Sequence, residues 1–288
     1  MKLKATWKPE GCQILGSAIT SVLRATGSSG DKATIKMNPQ NFYFVSLVPR
    51  KDQVESWCVV NTSSAFSAIV CESLRDNQID VAVSLTALLM VMKYVGQCVY
   101  CTMRLSKRDG VPVLRFEFNF VDSGNCLVVH DIPIEILREL TWSEPLVPDS
   151  DSRVIMSYPL KRIRAYIDRL RAMNVTDVRI VFENYPQFAN VIFESACDSV
   201  RTNFRIDNQP VFSAGNTGDV SSSENQVVTS EVRVPLKGFL FMLDKIMLLS
   251  ESCRCLILAS ENKYFSAWIQ LPSQYGSVAA ISPAFIID

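Results

Sequence analysis

The sequence has a single histidine in 288 residues and lacks the short motifs that mark the common enzyme classes. It contains no G-x-S-x-G nucleophile elbow, no Walker A loop and no G-x-G-x-x-G dinucleotide fingerprint. His130 precedes Asp131 in an extended run, where consecutive side chains point to opposite faces of a strand, so the pair does not predict a catalytic dyad. We therefore expect no catalytic residue and no cofactor. An enzyme with a non-standard site is kept as an alternative.

Long apolar runs and a net charge are also missing. The longest apolar run, residues 85–92, includes a threonine and is far shorter than the roughly 20 residues that cross a bilayer. Residues 1–8 read as a strand rather than a secretory signal, so we expect a soluble intracellular protein without a membrane partner. Twenty-nine basic and 29 acidic side chains cancel, and any attraction to a polyanion must therefore come from a local surface.

The nine cysteines are odd in number, scattered, and mostly placed inside apolar runs. This pattern is typical of reduced thiols that pack as small hydrophobes in a core. Zinc bound by Cys98-Val-Tyr-Cys101 and Cys253-Arg-Cys255 is the sharper alternative. The first pair lies in a strand-like segment, where residues three apart point to opposite faces, and the usual histidine ligands are absent. We therefore expect no metal site.

What the chain does have is a repeat. Four strand-like runs each lead into an amphipathic helix, and two of these junctions share the tripeptide Pro-Leu-Lys, at Pro159 and Pro235. The predicted helix starts lie 75, 75 and 76 residues apart by subtraction, near Glu10, Leu85, Leu160 and Leu236. Ser84 is a suitable N-cap for the second helix. Self-similarity at a fixed period indicates an architecture built from like units.

The midpoint of the repeat is interrupted by a linker. Residues 139–151 hold two prolines and four acids and show no helical face, which predicts an N-terminal domain at 1–138, a connector at 139–151 and a C-terminal domain at 152–288. Strand-like runs joined by short turns outnumber helices, which favours antiparallel sheet. We expect an α+β fold of two similar domains, each with two helices on one side of an antiparallel sheet. Residues 208–226 are polar and Gly/Ser-rich, so we expect a surface loop there.

One predicted helix, residues 160–173, carries a strong local charge. Five basic residues fall outside its apolar sector against the single acid Asp168, an excess of +4. A run of charge is ordinarily a solvated face, but such faces mix both signs, so this one favours a polyanion. The other three helices add weaker basic positions on their polar sides. The whole set is Arg24, Lys93, Lys161, Arg162, Arg164, Arg169, Arg171, Lys237 and Lys245.

Repeat, linker and basic helices together resemble the sliding-clamp fold of PCNA. The stretch Val129-His130-Asp131-Ile132-Pro133-Ile134, followed by Glu144-Pro145-Leu146-Val147-Pro148-Asp149, is more specific. It resembles the Hus-type subunit of the DNA-damage checkpoint clamp, which carries a similar His-Asp-Ile-Pro stretch before a Glu-Pro-Val-Val-Pro-Asp connector. The opening Met1-Lys2-Leu3-Lys4-Ala5 also resembles that family's first strand. The order of elements matches along essentially the whole chain.

The resemblance implies a function and partners. The chain would be a non-enzymatic subunit of the heterotrimeric nine-one-one clamp, which encircles double-stranded DNA without reading its sequence. Its partners would be two other clamp subunits, a dedicated clamp loader, and checkpoint and repair proteins, and its location would be the nucleus. The alternatives are a homotrimeric replication-type clamp within the same fold, and a protein-interaction scaffold that docks through the linker.

The resemblance also assigns roles to residues. The helices of such a clamp line the ring, so the basic set above is expected to face DNA. Strand edges near 126–134 and 189–196 are expected to pair with neighbouring subunits, because an unpaired edge is a template for another chain. The interface residues would be Leu127, Val129, Asp131, Val191, Phe193 and Ser195. In the connector, Trp142, Leu146 and Val147 are expected to border a groove that receives client peptides.

Overall fold

The computed structural model describes residues 1–23, 32–46, 54–120, 126–138, 152–156, 160–197, 200–211, 227–247, 249, 255–260 and 263–284. The chain divides into two compact units. Unit 1 comprises the described residues within Met1–Pro49, Glu55–Glu144 and Gln270–Val278, and unit 2 those within Arg50–Val54, Pro145–Ile269 and Ala279–Asp288.

Unit 1 is a strand-rich layer with two long helices and one short one. Its elements are β1 (Lys2–Trp7), α1 (Pro9–Leu23), β2 (Lys32–Met37), β3 (Asn41–Ser46), β4 (Glu55–Asn61), α2 (Thr62–Ala65), β5 (Phe66–Glu72), β6 (Ile79–Ser84), α3 (Leu85–Val95), β7 (Tyr100–Arg108), β8 (Val111–Phe120) and β9 (Cys126–Ile136). These strands pair antiparallel in the order β4-β3-β2-β6-β9-β8-β7-β1-β5.

Unit 2 repeats the plan. Its elements are β10 (Ser152–Met156), α4 (Leu160–Ala172), β11 (Asp177–Asn184), β12 (Phe188–Cys197), β13 (Val200–Pro210), β14 (Val228–Pro235), α5 (Leu236–Met247), β15 (Cys255–Ser260) and β16 (Tyr264–Gln270). The chain continues with a 3-10 turn (Pro272–Gln274), which belongs to unit 1, and with β17 (Gly276–Pro283), whose residues up to Val278 belong to unit 1 and whose later residues belong to unit 2. One antiparallel sheet has the order β13-β12-β11-β14, and β10, β15 and β16 pair in that order in the other.

The predicted helix starts are confirmed. The four long helices begin at Pro9, Leu85, Leu160 and Leu236. Ser84 caps α3 as expected, because its hydroxyl accepts a hydrogen bond from the Ala87 N–H at 3.4 Å. The repeat therefore reflects four strand-to-helix junctions, as the period indicated.

The helices of unit 1 pack together through glycine. Gly16 of α1 lies against the backbone after α3, where a Cβ would come within 3.1 Å of the Gly96 nitrogen. Because a side chain at this point would meet backbone that cannot rotate away, glycine permits the close approach of α1 to α3. Leu15, Ile19 and Val22 on the same helix are fully buried and form the helical side of the core.

The helices of unit 2 pack through large side chains instead. Ile163 and Ile167 of α4 are buried, as are Phe239 and Met242 of α5. Phe193 of β12 stacks on Phe239 with ring centroids 5.8 Å apart, and it is only 1% exposed. The sheet and the helix pair therefore share one aromatic core within this unit.

Two stretches differ from the boundaries that the sequence suggested. Gln270–Val278 joins unit 1 rather than the second half: the Asn61 N–H donates to the Tyr275 carbonyl oxygen at 2.8 Å. Gly276, at φ +142°, lies so close to Val59 that a Cβ would sit 1.8 Å from the Val59 carbonyl oxygen.

In addition, β13 continues to Pro210, whereas a loop was predicted from 208. Residues 212–226 and the connector 139–151 lie outside the described residues.

None of the helices in the described part of the chain is long and apolar enough to cross a membrane. Six cysteines in that part, namely Cys12, Cys58, Cys71, Cys98, Cys101 and Cys255, are free and buried, as expected for core thiols. The part of the chain that the structure describes contains no group of three or more His, Cys, Asp or Glu side chains placed to hold a metal ion.

Candidate nucleic-acid and subunit interfaces

Helix α4 displays a one-sided basic surface. Ile163, Ile167 and Leu170 point into the core, which turns the opposite side of the helix outward. Four basic side chains lie exposed there, and we call them the α4 basic face: Lys161, Arg162, Arg169 and Arg171. The only acid of the helix, Asp168, is engaged by Arg164. The four cations outnumber the single acid of the helix, so the α4 basic face carries a net positive charge that can attract phosphate groups.

Arg164 has a different position from the other four. Its side chain is only 20% exposed and forms ion pairs with Asp168 at 2.5 Å and with Asp244 of α5 at 2.7 Å. The guanidinium group thus connects α4 to α5, and two carboxylates compensate its charge. Its geometry suits a helix-to-helix tie better than a contact to DNA. The sequence could not reveal this role, since Asp244 lies 80 positions away.

The other three long helices contribute fewer basic side chains than α4. Lys237 at the start of α5 is exposed, and so is Lys93 of α3. The side chain of Lys245 and the whole of Arg24 lie outside the described residues. Within their described ranges, α1 and α3 contain one basic residue, Lys93, and one acid, Glu10. Among the helix residues that the structure describes, positive charge is therefore concentrated on the pair in unit 2.

Strand β9 offers one open edge. Residues 126–133 pair with β8, while β6 pairs only with the end of β9 around Ile134–Ile136. Along 126–133 the second edge has no partner strand among the described residues. Leu127 and Val129 on this segment are 63% and 44% exposed. This combination of open backbone and exposed apolar side chains is suited to pairing with another chain.

Asp131 on the same strand is already engaged. It accepts hydrogen bonds from Arg115 at 2.6 and 2.8 Å, and Arg108 lies 3.7 Å away. The hydrogen bond from Arg115 and its positive charge hold the pKa of the Asp131 carboxyl below its usual range. The carboxylate therefore holds β8 and β9 together and leaves less of its charge for a partner.

The second predicted edge is placed differently by the structure. Strand β12 is paired on both sides, with β11 and with β13, so residues 189–196 cannot form a free edge. Val191 and Phe193 are buried, and the Ser195 hydroxyl donates to the Asp177 carbonyl oxygen at 3.5 Å. Apolar alternation identified a strand that faces the core, which is not the same as a strand at an edge. Among the described residues, the ends of this sheet are β13 and β14.

The strand β13 presents a polar surface at that end of the sheet. Arg201, Asn203 and Arg205 are exposed along it. Arg205 pairs with Glu183 at 2.7 Å and with Asp207 at 2.6 Å, whereas Arg201 has no ion pair among the described residues. The exposed edge near 126–133 is apolar and this one is charged, so the two edges are chemically unlike.

Comparison with known proteins decides the family. The family model described as Hus1-like protein matches residues 1–272. The chain belongs to the Hus1-like family. The resemblance seen in the residues around 130–149 is thereby confirmed.

Two curated relatives are similar to this Hus1-like chain. Checkpoint protein hus1 of Schizosaccharomyces pombe is 24% identical over 161 residues, an alignment that covers 54% of this chain and 55% of that protein. Human checkpoint protein HUS1 is 22% identical over 218 residues, covering 73% of this chain and 75% of the human protein. The alignment with the S. pombe protein spans only about half of its length.

Among solved structures, proliferating cellular nuclear antigen from Entamoeba histolytica matches with a TM-score of 0.66 and 13% identity, covering 99% of both chains. At this identity the likeness shows the fold alone. It confirms the predicted α+β, PCNA-like architecture with helices and antiparallel sheets.

The lone histidine of this Hus1-like chain is part of an aromatic cluster. His130 stacks on Tyr94 of α3 with ring centroids 4.9 Å apart, while Asp131 turns toward Arg115. The two neighbours point apart, as strand geometry predicted. The three client-groove residues of the connector, Trp142, Leu146 and Val147, lie outside the described residues.

Proposed function

We propose that the chain is a non-enzymatic subunit of a heterotrimeric checkpoint clamp that encircles DNA. The observation that carries the proposal is the α4 basic face in a protein of PCNA-like fold whose net charge is zero. The family match supports it, as do two relatives that are both named checkpoint proteins. Positive charge concentrated on one helix of a neutral chain is suited to contact a polyanion locally.

The DNA contact is electrostatic and independent of sequence. Lysine and arginine on one helix face reach phosphate oxygens, which position the protein on the duplex but carry no base information. Binding of this kind releases counterions, so the logarithm of the affinity falls by about 0.9 per phosphate contact for each tenfold rise in salt. The role fits a clamp, which must hold DNA and still move along it.

Ring closure uses two unlike edges. The open, apolar edge of β9 near Leu127 and Val129 pairs with one neighbouring subunit. The end of the other sheet at β13 replaces the β12 edge that the sequence suggested, and it pairs with the second neighbour. Because an apolar edge and a charged edge are poor complements, the chain favours two different partners over copies of itself.

The remaining partners are part of the same proposal. A dedicated clamp loader places the ring on damaged DNA in the nucleus, and the connector 139–151 recruits checkpoint and repair proteins through Trp142, Leu146 and Val147. The prolines of the connector favour an extended path, which is the geometry of a docking segment.

The first experiment measures retention of the assembled ring on closed circular DNA. We expect the Lys161→Glu/Arg169→Glu/Arg171→Glu variant to assemble normally and to be lost from DNA at moderate salt. The matched control reverses three exposed lysines away from the four long helices, Lys4→Glu/Lys107→Glu/Lys263→Glu, with the same change in net charge. Equal retention of both variants would contradict a DNA-facing role for α4.

The second experiment tests assembly. Co-purification of the full chain with other cellular proteins should yield two further clamp-like chains in equal amounts. The mass of the pure chain in solution should correspond to a species smaller than a closed trimer. A stable homotrimer of the pure chain would instead support a replication-type clamp.

A further inference from the structure

The four-stranded sheet of unit 2 has a polar pocket on one of its faces, and we call it the arginine pocket. Its volume is about 460 Å³, and residues of all four strands line it. A pocket of this size accepts a side chain together with a charged group that the side chain carries. The charged and amide side chains that line it are Asp177 and Arg179 of β11, Glu194 of β12, Arg201 and Asn203 of β13, and Arg233 of β14.

The register of the strands explains the shape of the arginine pocket. Arg179 lies opposite Glu194 on one side and opposite Arg233 on the other. In the outer pair of strands, Arg201 lies opposite Ala196, which also lines the pocket and is exposed. Because the alanine side chain is short and the side chains around it are long, this face of the sheet has a depression at Ala196.

The arginine pocket and helix α4 lie on opposite faces of the sheet. Thr202 lies between Arg201 and Asn203 in β13, and its hydroxyl is 3.0 Å from the Tyr166 hydroxyl of α4. Successive side chains of a strand point to opposite faces, so Arg201 and Asn203 point away from the helix. The pocket is therefore a surface separate from the α4 basic face.

Two arginines of the pocket keep N–H donors that no described residue accepts from. Arg201 is exposed and forms no ion pair among the described residues. Arg233 pairs with Asp177 through its Nε, and its two terminal amino groups have no acceptor in the described part of the chain. Since a guanidinium group has five N–H donors and no acceptor, these two side chains can donate to a ligand.

Arg179 is occupied to a greater extent. Its Nη1 donates to Glu194 at 2.8 Å, and its Nε donates to Glu231 at 3.0 Å. The side chains that line the pocket comprise three arginines and two carboxylates, an excess of +1 by subtraction, and Glu231 outside the lining offsets Arg179. The positive charge that remains available to a ligand is therefore that of Arg201.

We propose that the arginine pocket binds a phosphorylated serine or threonine of a partner protein. A phosphate monoester has a charge of about −1.5 to −2 at pH 7 and three acceptor oxygens, which suit the free donors of Arg201 and Arg233 together. A carboxylate has only two oxygens and one charge. Arginine also matches phosphate geometrically, because its planar fork donates two parallel hydrogen bonds.

The pocket is less suited to the backbone of DNA. A DNA phosphate is a singly charged diester that repeats along the strand, so it fits an extended basic surface such as the α4 basic face. The proposal is independent of the clamp function. Pairing of the β13 edge with a neighbouring subunit uses backbone groups, whereas the pocket uses side chains on one face of the sheet.

The test measures binding of the purified full-length chain to a fluorescent peptide library with phosphoserine at its centre and random flanking residues. Matched libraries carry serine or glutamate at the centre. We expect the phosphoserine library to bind at least about tenfold more tightly than either control, because the phosphate accepts more charge-assisted hydrogen bonds. Equal binding of the three libraries would overturn the proposal. Displacement by an equimolar amount of inorganic phosphate would also overturn it, since the pocket would then hold phosphate alone.

Two arginines of one strand face provide a matched pair of variants. Arg201→Gln should weaken phosphopeptide binding by about tenfold or more, since a charged donor is lost, and should leave the melting temperature unchanged. Arg205→Gln is the control, because Arg205 already pairs with Glu183 at 2.7 Å and with Asp207 at 2.6 Å. It should change phosphopeptide affinity by less than about twofold. Equal losses in the two variants, or wild-type binding by Arg201→Gln, would contradict a site at Arg201.

A third variant separates the arginine pocket from the α4 basic face. The Lys161→Gln/Arg169→Gln/Arg171→Gln chain should bind the phosphoserine library within about threefold of wild type at moderate salt, because salt screens charges on the far side of the sheet. A larger loss in this variant would place the phosphate on the α4 basic face, and the pocket would then have no role in binding it.

Discussion

The two helix pairs of this Hus1-like chain occupy equivalent places in the repeat but are built differently. α1 and α3 approach through Gly16, and their described ranges carry only one basic residue. α4 and α5 pack through large apolar side chains, are tied by Arg164 to Asp244, and display four exposed cations on α4. The repeat therefore preserves the strand-to-helix junctions and leaves the surface chemistry free to diverge. If both pairs line the proposed ring, we expect the α4 basic face to supply most of the DNA contact, because the described residues of α1 and α3 carry little charge.

The largest expected effect comes from moving the charge between the pairs. Neutralising Lys161, Arg169 and Arg171 to Gln should reduce DNA affinity of the assembled ring by about tenfold or more near physiological salt, since about three phosphate contacts are lost. Adding Gln13→Lys, Ser17→Lys and Thr86→Lys on the exposed side of α1 and α3 should restore part of it.

The measurement is DNA affinity over a series of salt concentrations. The magnitude of the slope of log affinity against log salt concentration should fall by about 0.9 per lost contact in the variant with three glutamines. It should rise again in the variant that also carries the three added lysines. Restoration would show that position in the ring, and not the identity of the helix, determines DNA contact. A failure to restore any affinity would place α1 and α3 away from DNA.

The glycine contact should produce the next largest effect. Gly16→Ala places a Cβ against backbone and should lower the free energy of unfolding by about 1–3 kcal/mol through overpacking. Gly238→Ala in α5 is the matched control, because its Cβ would meet only the ends of the Ser282 and Val54 side chains. That change should stay within about 1 kcal/mol, since alanine also favours the helix. Chemical denaturation of both variants measures the difference.

The interhelix ion pair should contribute less. Arg164→Gln and Asp244→Asn, made singly and together, form a cycle whose coupling we expect to be below about 1 kcal/mol, because Asp244 is 53% exposed and water screens the pair. DNA affinity should change little in Arg164→Gln. A large loss of affinity without a change in stability would make Arg164 a phosphate contact after all.

The smallest effect should come from Lys93 of α3. Lys93→Gln is expected to change DNA affinity by less than about threefold, whereas the matched Arg171→Gln on α4 should have a larger effect and lower the salt slope by about 0.9. If the two variants show identical slopes of log affinity against log salt concentration, both helix pairs contact DNA equally. The two units would then differ only in how their helices pack.

Much of the architecture could be predicted because it depends on local patterns. The helix starts, the Ser84 cap and the apolar side of α4 all follow from periodicity and capping chemistry within a few residues. Contacts between distant positions could not be predicted in this way. Asp244 compensates Arg164 across 80 positions, and the backbone of Gly16 lies against that of Gly96, which is equally distant in the sequence.

The edge strands show the same limit. The alternation in β12 indicates correctly that Val191 and Phe193 point to one side, and the structure shows that this side is the core. Alternation does not tell which strands flank β12, because hydrogen bonding to neighbours leaves no periodic trace in side chains. The sequence did not identify β13 as one of the two ends of this sheet, because its exposed polar residues give little strand signal and its last residues resemble a loop.

The contact of Gly276 with Val59 has a practical consequence for dividing the protein. Unit 1 includes Gln270–Val278, whose Tyr275 carbonyl accepts from Asn61 and whose Gly276 leaves no room for a side chain beside β4. A fragment that ends near residue 138 would therefore lack residues 270–278 of unit 1. The Asn61 N–H would lose its hydrogen-bond acceptor, and the backbone of Val59 would lose the chain that packs against it. Expression of the halves as separate polypeptides is expected to yield an aggregating first half, whereas a peptide spanning 270–278, supplied in trans or fused behind residue 138, should rescue its solubility.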